Sequence, residues 1–175
     1  MHLRIVILIA LSFYLQAGHL NLLLAQKATK LDTVQVTVDN HKMSMYVSGT
    51  GKYSVVLEAG GSSNHRCYRT IDTAIAKITR VISYDRPGYL ASEKCDKTRD
   101  AITIAKELKE GLAKGGYPPP YILVGWSMGG SFAKVFCGLY PADVSGLVLL
   151  DPCPEDFYAR MLEEHPELMK EDSIY

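Results

Sequence analysis

Val34, Val36 and Val38 stand at alternate positions, and Met43, Met45 and Val47 repeat the alternation after the pair Asp39-Asn40. A period of two on either side of a turn-forming pair predicts an antiparallel hairpin over residues 33–38 and 42–47. Beyond it the alternation stops. Residues 53–58 (YSVVLE), 80–84 (RVISY), 121–125 (YILVG) and 146–150 (GLVLL) are nearly all apolar, the pattern of strands covered on both faces.

Helical periods separate these strands. Ile104, Leu108 and Leu112 recur four apart while Lys106, Glu107, Lys109 and Glu110 are expected to face water. Asp100 is placed to cap this helix and Gly115-Gly116 to stop it. Residues 128–140 form a second helical run, apolar almost all round and ended by Pro141. Residues 155–170 form a third, with Phe157, Tyr158, Met161 and Leu162 on one side. Strands alternating with helices predict an α/β fold: a mostly parallel sheet with right-handed crossovers, an N-terminal antiparallel hairpin and helices on both faces. No repeat, low-complexity tract or Ser/Gly linker divides residues 26–154 into two domains.

Charge removes one class of partner. Nineteen basic side chains balance nineteen acidic ones, with no Lys/Arg run to follow a phosphate backbone, so nucleic acid is not an expected partner. The first 25 residues differ from the rest. Arg4 and the α-amino group precede the apolar run from Ile5 to Leu15, which suits a cleaved export signal. A second apolar patch, Leu20 to Ala25, also permits an uncleaved anchor, although Gln16, His19 and Asn21 would be costly in lipid. A buried helix is the third reading. Export would put Cys67, Cys95, Cys137 and Cys153 in an oxidising compartment, where four thiols allow three complete pairings. No CxxC pair and no second His or Cys at ligand spacing signals a zinc site, and no cofactor is implied.

The chemistry is concentrated at Gly125-Trp126-Ser127-Met128-Gly129, a GxSxG motif. Composition alone yields such a match in about one chain of this length in twenty, taking Gly and Ser at about 7% each. Its position, where an apolar strand meets a helix, is far more selective. A turn that sharp holds its serine in a strained backbone conformation and needs glycines where the two arms pass. Ser127 is the candidate nucleophile, and the amide of Met128, at the start of the helix, is the first candidate oxyanion donor. A second donor is expected from the glycine-rich bend after residues 53–58, with Gly61 first and Ser62 next.

With these segments in view, the chain resembles the α/β-hydrolase superfamily, and more closely its esterase, lactonase and epoxide-hydrolase-like branch. The resemblance is carried in order by Val55-Val56-Leu57-Glu58-Ala59-Gly60-Gly61, Tyr84-Asp85-Arg86-Pro87-Gly88-Tyr89, residues 119–130 around the GxSxG, and Leu147-Val148-Leu149-Leu150-Asp151-Pro152. It implies a nucleophilic serine, then an acid after the sixth or seventh strand and a histidine after the eighth. Nothing in the 175 residues matches that histidine. His2, His19, His41 and His65 precede Ser127, and His165 falls in a charged helix; Asp151 is a candidate acid. The resemblance also implies that a cap over the site starts in residues 155–175. The expectation is a serine hydrolase acting on a small acyl substrate, truncated after about the sixth strand and weakly active in this form. A membrane is a partner only if the leader stays uncleaved. The rival is a non-catalytic binding protein that retains the elbow as scaffold.

Overall fold

The computed structural model describes residues 30–164, and the leader, His165 and the rest of the expected cap segment lie outside them. Six strands form one sheet in the order β1-β2-β4-β3-β5-β6. Strands β1 (Asp32–Val38) and β2 (His41–Ser48) make the predicted hairpin, with Val34 opposite Met45 and Val36 opposite Met43. Its two-residue turn has Asp39 and Asn40 at φ 48° and 68°, the left-handed pair that matches the twist of the flanking strands. β2 pairs antiparallel with β4 (Arg80–Tyr84), and β4, β3 (Ser54–Glu58), β5 (Tyr121–Trp126) and β6 (Val144–Leu150) run parallel to one another.

Parallel neighbours need crossovers, and helices supply them. The short α1 (Arg69–Ile75), entered through a 3-10 turn at His65–Tyr68, joins β3 to β4. Sequence periodicity did not reveal it, because two turns of mixed polarity carry little amphipathic signal. α2 (Ala101–Lys114) joins β4 to β5, and Asp100 caps it as expected, accepting from the amides of Ile102 and Thr103. α3 (Met128–Leu139) joins β5 to β6. The core has two parts. One includes Met43, Met45, Ile82 and Leu123 of the sheet with Leu108 and Leu112 of α2 and Phe136 of α3; the other includes Val55, Leu57, Val81 and Val124 with Tyr68 and Ala76.

Two expectations need correction. Glu107 does not face water: it is 4% exposed and is held by Arg99. β6 is not buried on both faces, because among the described residues it pairs only with β5, and Leu147 and Val148 are 37% and 44% exposed. All four cysteines carry free thiols, Cys67 at the surface and Cys95, Cys137 and Cys153 half-buried. α4 (Phe157–Glu164) realises the described part of the third helical run. No helix among the described residues is long and apolar enough to cross a membrane.

Candidate active site

Because β3, β4, β5 and β6 run parallel, the loops that leave their carboxyl ends gather at one edge of the sheet. Ser127 stands there, between the last residue of β5 and the first of α3, at φ 53° and ψ −126°. A positive φ is unfavourable for any residue with a Cβ, so the surroundings must impose it. The glycines allow the packing that does so. A Cβ at Gly125 would lie 2.5 Å from the Gly129 carbonyl oxygen, and one at Gly129 would lie 2.2 Å from that of Glu58. The Ser127 amide donates to Leu150 and its carbonyl accepts from Gly130 and Cys153, which fixes the turn from both sides.

The loop after β3 borders the serine. A Cβ on Gly60 would come within 3.3 Å of Ser127 Cβ, and one on Gly61 within 2.5 Å of Met128 Sδ. The two expected oxyanion positions, Met128 and Gly61, therefore adjoin, and both line a recess of about 50 Å³ with Ser62, Arg86 and Phe132. Ser62 is itself at φ 51°. A larger apolar cleft of about 520 Å³ opens beside it, walled by Met128, Phe132, Val135, Cys153, Pro154 and Phe157 among others. Ser127 is not among its lining residues, but its neighbours Met128 and Cys153 are.

Arg86 holds the bend in place, a role the sequence did not disclose. Its Nη1 donates to Glu58 Oε1 and to the Ala59 carbonyl, each at 2.7 Å, and its Nη2 donates to the Gly60 carbonyl at 2.6 Å. The guanidinium also lies over the rings of Tyr89 and Phe132, each centroid 5.3 Å away. Glu58, fully enclosed, accepts in addition from the Tyr84 hydroxyl. Burial pushes its carboxyl above the ordinary range, with the Arg86 charge and the Tyr84 hydroxyl pulling the other way. Burial also works against the Arg86 charge, but Glu58 outweighs it and the guanidinium stays cationic. The available signal was the pairing of Glu58 with Arg86 in two strand-ending segments, which sequence proximity cannot supply.

Asp85, the neighbour of Arg86, is also buried and accepts from the Tyr46 hydroxyl at 2.8 Å and from the amide and Nδ1 of His65 at 3.1 and 2.8 Å. The His65 ring stacks on Tyr46, with centroids 3.5 Å apart. Burial, then Asp85, pushes the Tyr46 phenol up to about 12. Ser127 Oγ has a different neighbour, Cys153 Sγ, at 3.6 Å. Among the described residues no histidine is hydrogen-bonded to Ser127 Oγ. Asp151 is exposed at the end of β6, at φ 44°, with no hydrogen bond to a histidine among the described residues.

A strand-turn-helix serine at the carboxyl edge of a mixed, mostly parallel sheet, next to a glycine bend, defines the class of α/β hydrolases. Residues 53–172 match the family model of the alpha/beta hydrolase fold, and the chain belongs to that family. It is similar to the uncharacterized protein YbdG of Bacillus subtilis (strain 168), with 30% identity over 118 residues, 66% of this chain and 36% of that one. It is also similar to a pimeloyl-[acyl-carrier protein] methyl ester esterase of Hamiltonella defensa subsp. Acyrthosiphon pisum (strain 5AT), with 32% identity over 62% of this chain and 40% of the esterase. Among solved structures, the epoxide hydrolase CorEH without ligand superposes with a TM-score of 0.65 and 27% identity, over 70% of this chain and 43% of that one. The chain thus spans about two fifths of the length of these curated relatives.

Proposed function

We propose that the protein is a serine hydrolase of esters or related acyl compounds, with Ser127 as nucleophile and the amides of Met128 and Gly61 as oxyanion donors. The observation that carries this reading is the strained Ser127 backbone at the carboxyl edge, beside a glycine bend that Arg86 clamps. Strain of about 1–3 kcal/mol persists only where the surroundings over-determine it, and it concentrates at functional positions. The esterase among the relatives supports the acyl class.

In the proposed reaction Ser127 Oγ attacks the acyl carbon and loses its proton to an imidazole. The carbonyl oxygen becomes negative between the two amides, the leaving group departs with the proton, and water then releases the acyl group from Ser127. The imidazole must come from outside the contacts described, since Ser127 Oγ faces a thiol. Without a base in reach a hydroxyl is a weak nucleophile, and none is hydrogen-bonded to Ser127 Oγ among the described residues, so slow turnover is expected of this chain. Export or anchoring through residues 1–25 belongs to the same proposal.

Hydrolysis of an activated aryl ester tests the reading. The 175-residue chain should act slowly, Ser127→Ala should abolish that rate, and a longer chain carrying the downstream strands and histidine should be much faster. The contact of Ser127 with Cys153 favours one rival, a binding protein that keeps the elbow as scaffold. Equal weak rates in both lengths, unchanged by Ser127→Ala, would establish that rival instead.

A further inference from the structure

His41 is enclosed, 5% exposed, at the first residue of β2. Its Nδ1 lies 3.3 Å from the Asp39 carbonyl oxygen, and because a carbonyl only accepts, a hydrogen bond there makes Nδ1 the donor and Nε2 the ring nitrogen left over. That Nε2 is the only buried side-chain nitrogen or oxygen among the described residues without a partner. An imidazole that donates one N–H to a backbone carbonyl and keeps a bare nitrogen inside the protein is arranged as metal-bound histidines are. Two further donors stand close to it. A ring nitrogen of His41, Cys95 Sγ and a Glu107 carboxylate oxygen all lie within 4.8 Å of one another. They come from three separate places, the start of β2, the loop after β4 and the middle of α2, so no spacing rule could have found them.

We propose that His41, Cys95 and Glu107 form a binding site for one zinc ion, remote in role from Ser127. Nitrogen, sulfur and a single carboxylate suit zinc, whereas magnesium and calcium call for oxygen donors throughout. Donors bonded tetrahedrally at about 2.0–2.3 Å stand roughly 3.3–3.8 Å apart, so a contraction of up to about 1.5 Å closes the site. Three protein ligands leave the fourth position to water. On binding, the Cys95 thiol gives its proton to solvent, and the thiolate and carboxylate together neutralise the two charges of the ion.

A cationic group already bridges two of these ligands. Arg99 Nη1 is 3.1 Å from Cys95 Sγ and 2.7 Å from Glu107 Oε1, while its Nη2 is 2.7 Å from Oε2. The ion takes over the Nη1 position, and the guanidinium withdraws into the cleft of about 460 Å³ that Cys95 and Arg99 both line. Lys97, the nearby ammonium, is paired with Asp39. A zinc ion there would tie the start of β2 and the middle of α2 to the loop that begins with Asp85 and Arg86. It would thereby brace the segment that clamps the glycine bend.

The test uses the reduced, chelator-stripped full chain. Zinc titration followed by calorimetry should give one ion per chain, and cobalt(II) should give a thiolate-to-metal charge-transfer band. Cys95→Ser should remove the band, and His41→Ala should weaken zinc at least ~100-fold, more than the 10–100-fold typical of losing an outer partner. Arg99→Met, which removes the competing charge, should bind zinc more tightly, and unchanged or weaker affinity would refute the displacement. Since His41→Ala can disturb the hairpin, a second measurement uses the unaltered chain: saturating zinc should slow alkylation of Cys95 at least tenfold and leave Cys67 unaffected, as read by peptide mass. No zinc uptake, a cobalt band that survives Cys95→Ser, or Cys95 alkylation indifferent to zinc would overturn the proposal.

Discussion

Gly129→Ala places one methyl group where the helix after Ser127 meets the glycine bend. The new Cβ would lie 2.2 Å from the Glu58 carbonyl oxygen and 2.5 Å from that of Ala59. Carbon and oxygen come no closer than about 3.3 Å even in the weak C–H···O contacts of native proteins, so about 1 Å of movement is required. Neither oxygen is loose: the Tyr68 hydroxyl donates to the first at 2.8 Å and Arg86 to the second at 2.7 Å. Overpacking costs about 1–3 kcal/mol, and a lost or stretched hydrogen bond adds about 1 kcal/mol. A destabilisation of about 3 kcal/mol follows, or a melting point lower by roughly 6–12 °C for a chain of this size. Gly138→Ala, on the same helix with nothing within 4 Å of its Cβ, is the control and should be neutral or stabilise by up to ~1 kcal/mol. Urea unfolding followed by the emission of the single tryptophan, Trp126, measures both. A Gly129→Ala chain within 0.5 kcal/mol of wild type, on the order of a neutral surface change, would refute the close approach of helix and bend.

Ser127→Gly removes the penalty of a positive φ at the cost of greater freedom in the unfolded chain, so a net gain of up to ~1 kcal/mol is expected in the same assay; a loss would mean that the turn is not strained. Arg86→Met leaves the buried Glu58 carboxylate and the carbonyls of Ala59, Gly60 and Ser63 without the guanidinium they accept from and should cost about 3–5 kcal/mol, against under 1 kcal/mol if the guanidinium were only a surface cation. Asp100→Ala should cost about 1 kcal/mol near neutral pH through loss of the cap. Hydrogen bonds from Thr103, then Thr98, hold the Asp100 carboxyl below its ordinary range, so its contribution is present above about pH 4 and fades as pH falls. The gap between wild-type and Asp100→Ala stabilities, followed by urea unfolding, should therefore hold steady from pH 7 to about pH 4 and narrow from there to about pH 3.

The strands were legible because their patterns answer a local question, which face of each residue is dry. Val34, Val36 and Val38 against Met43 and Met45 declared the hairpin, and the apolar run of β3 declared a strand buried on both faces. The same logic failed for β6, since GLVLL reads as doubly covered while Leu147 and Val148 are partly exposed beyond β5, the only strand that pairs with β6 among the described residues. The sequence carries the apolar requirement of that surface but not what satisfies it. It failed again for Glu107, where a charged residue between Lys106 and Leu108 reads as solvated until Arg99, eight residues earlier, folds back onto it.

At the site the division is sharper. The elbow was legible because strand, glycines, serine and helix are contiguous, and local geometry forces the residue types. The bend that faces it was legible as a glycine-rich turn, but what makes it rigid was not. Its carbonyls are held by a guanidinium that arrives from the end of β4, with Arg86 separated from Glu58 by 28 residues and from Gly60 by 26. That pairing depends on β3 and β4 being parallel neighbours, so that their carboxyl ends deliver Glu58 and Arg86 to the same place. A buried carboxylate is tolerated there only because the guanidinium and the Tyr84 hydroxyl complete its hydrogen bonds. The ion pair in turn requires carbonyl acceptors for the remaining guanidinium protons, and the glycine bend supplies them. Strand order thus decides the rigidity of the loop beside Ser127, and it does so through residues whose types alone say only that they are charged.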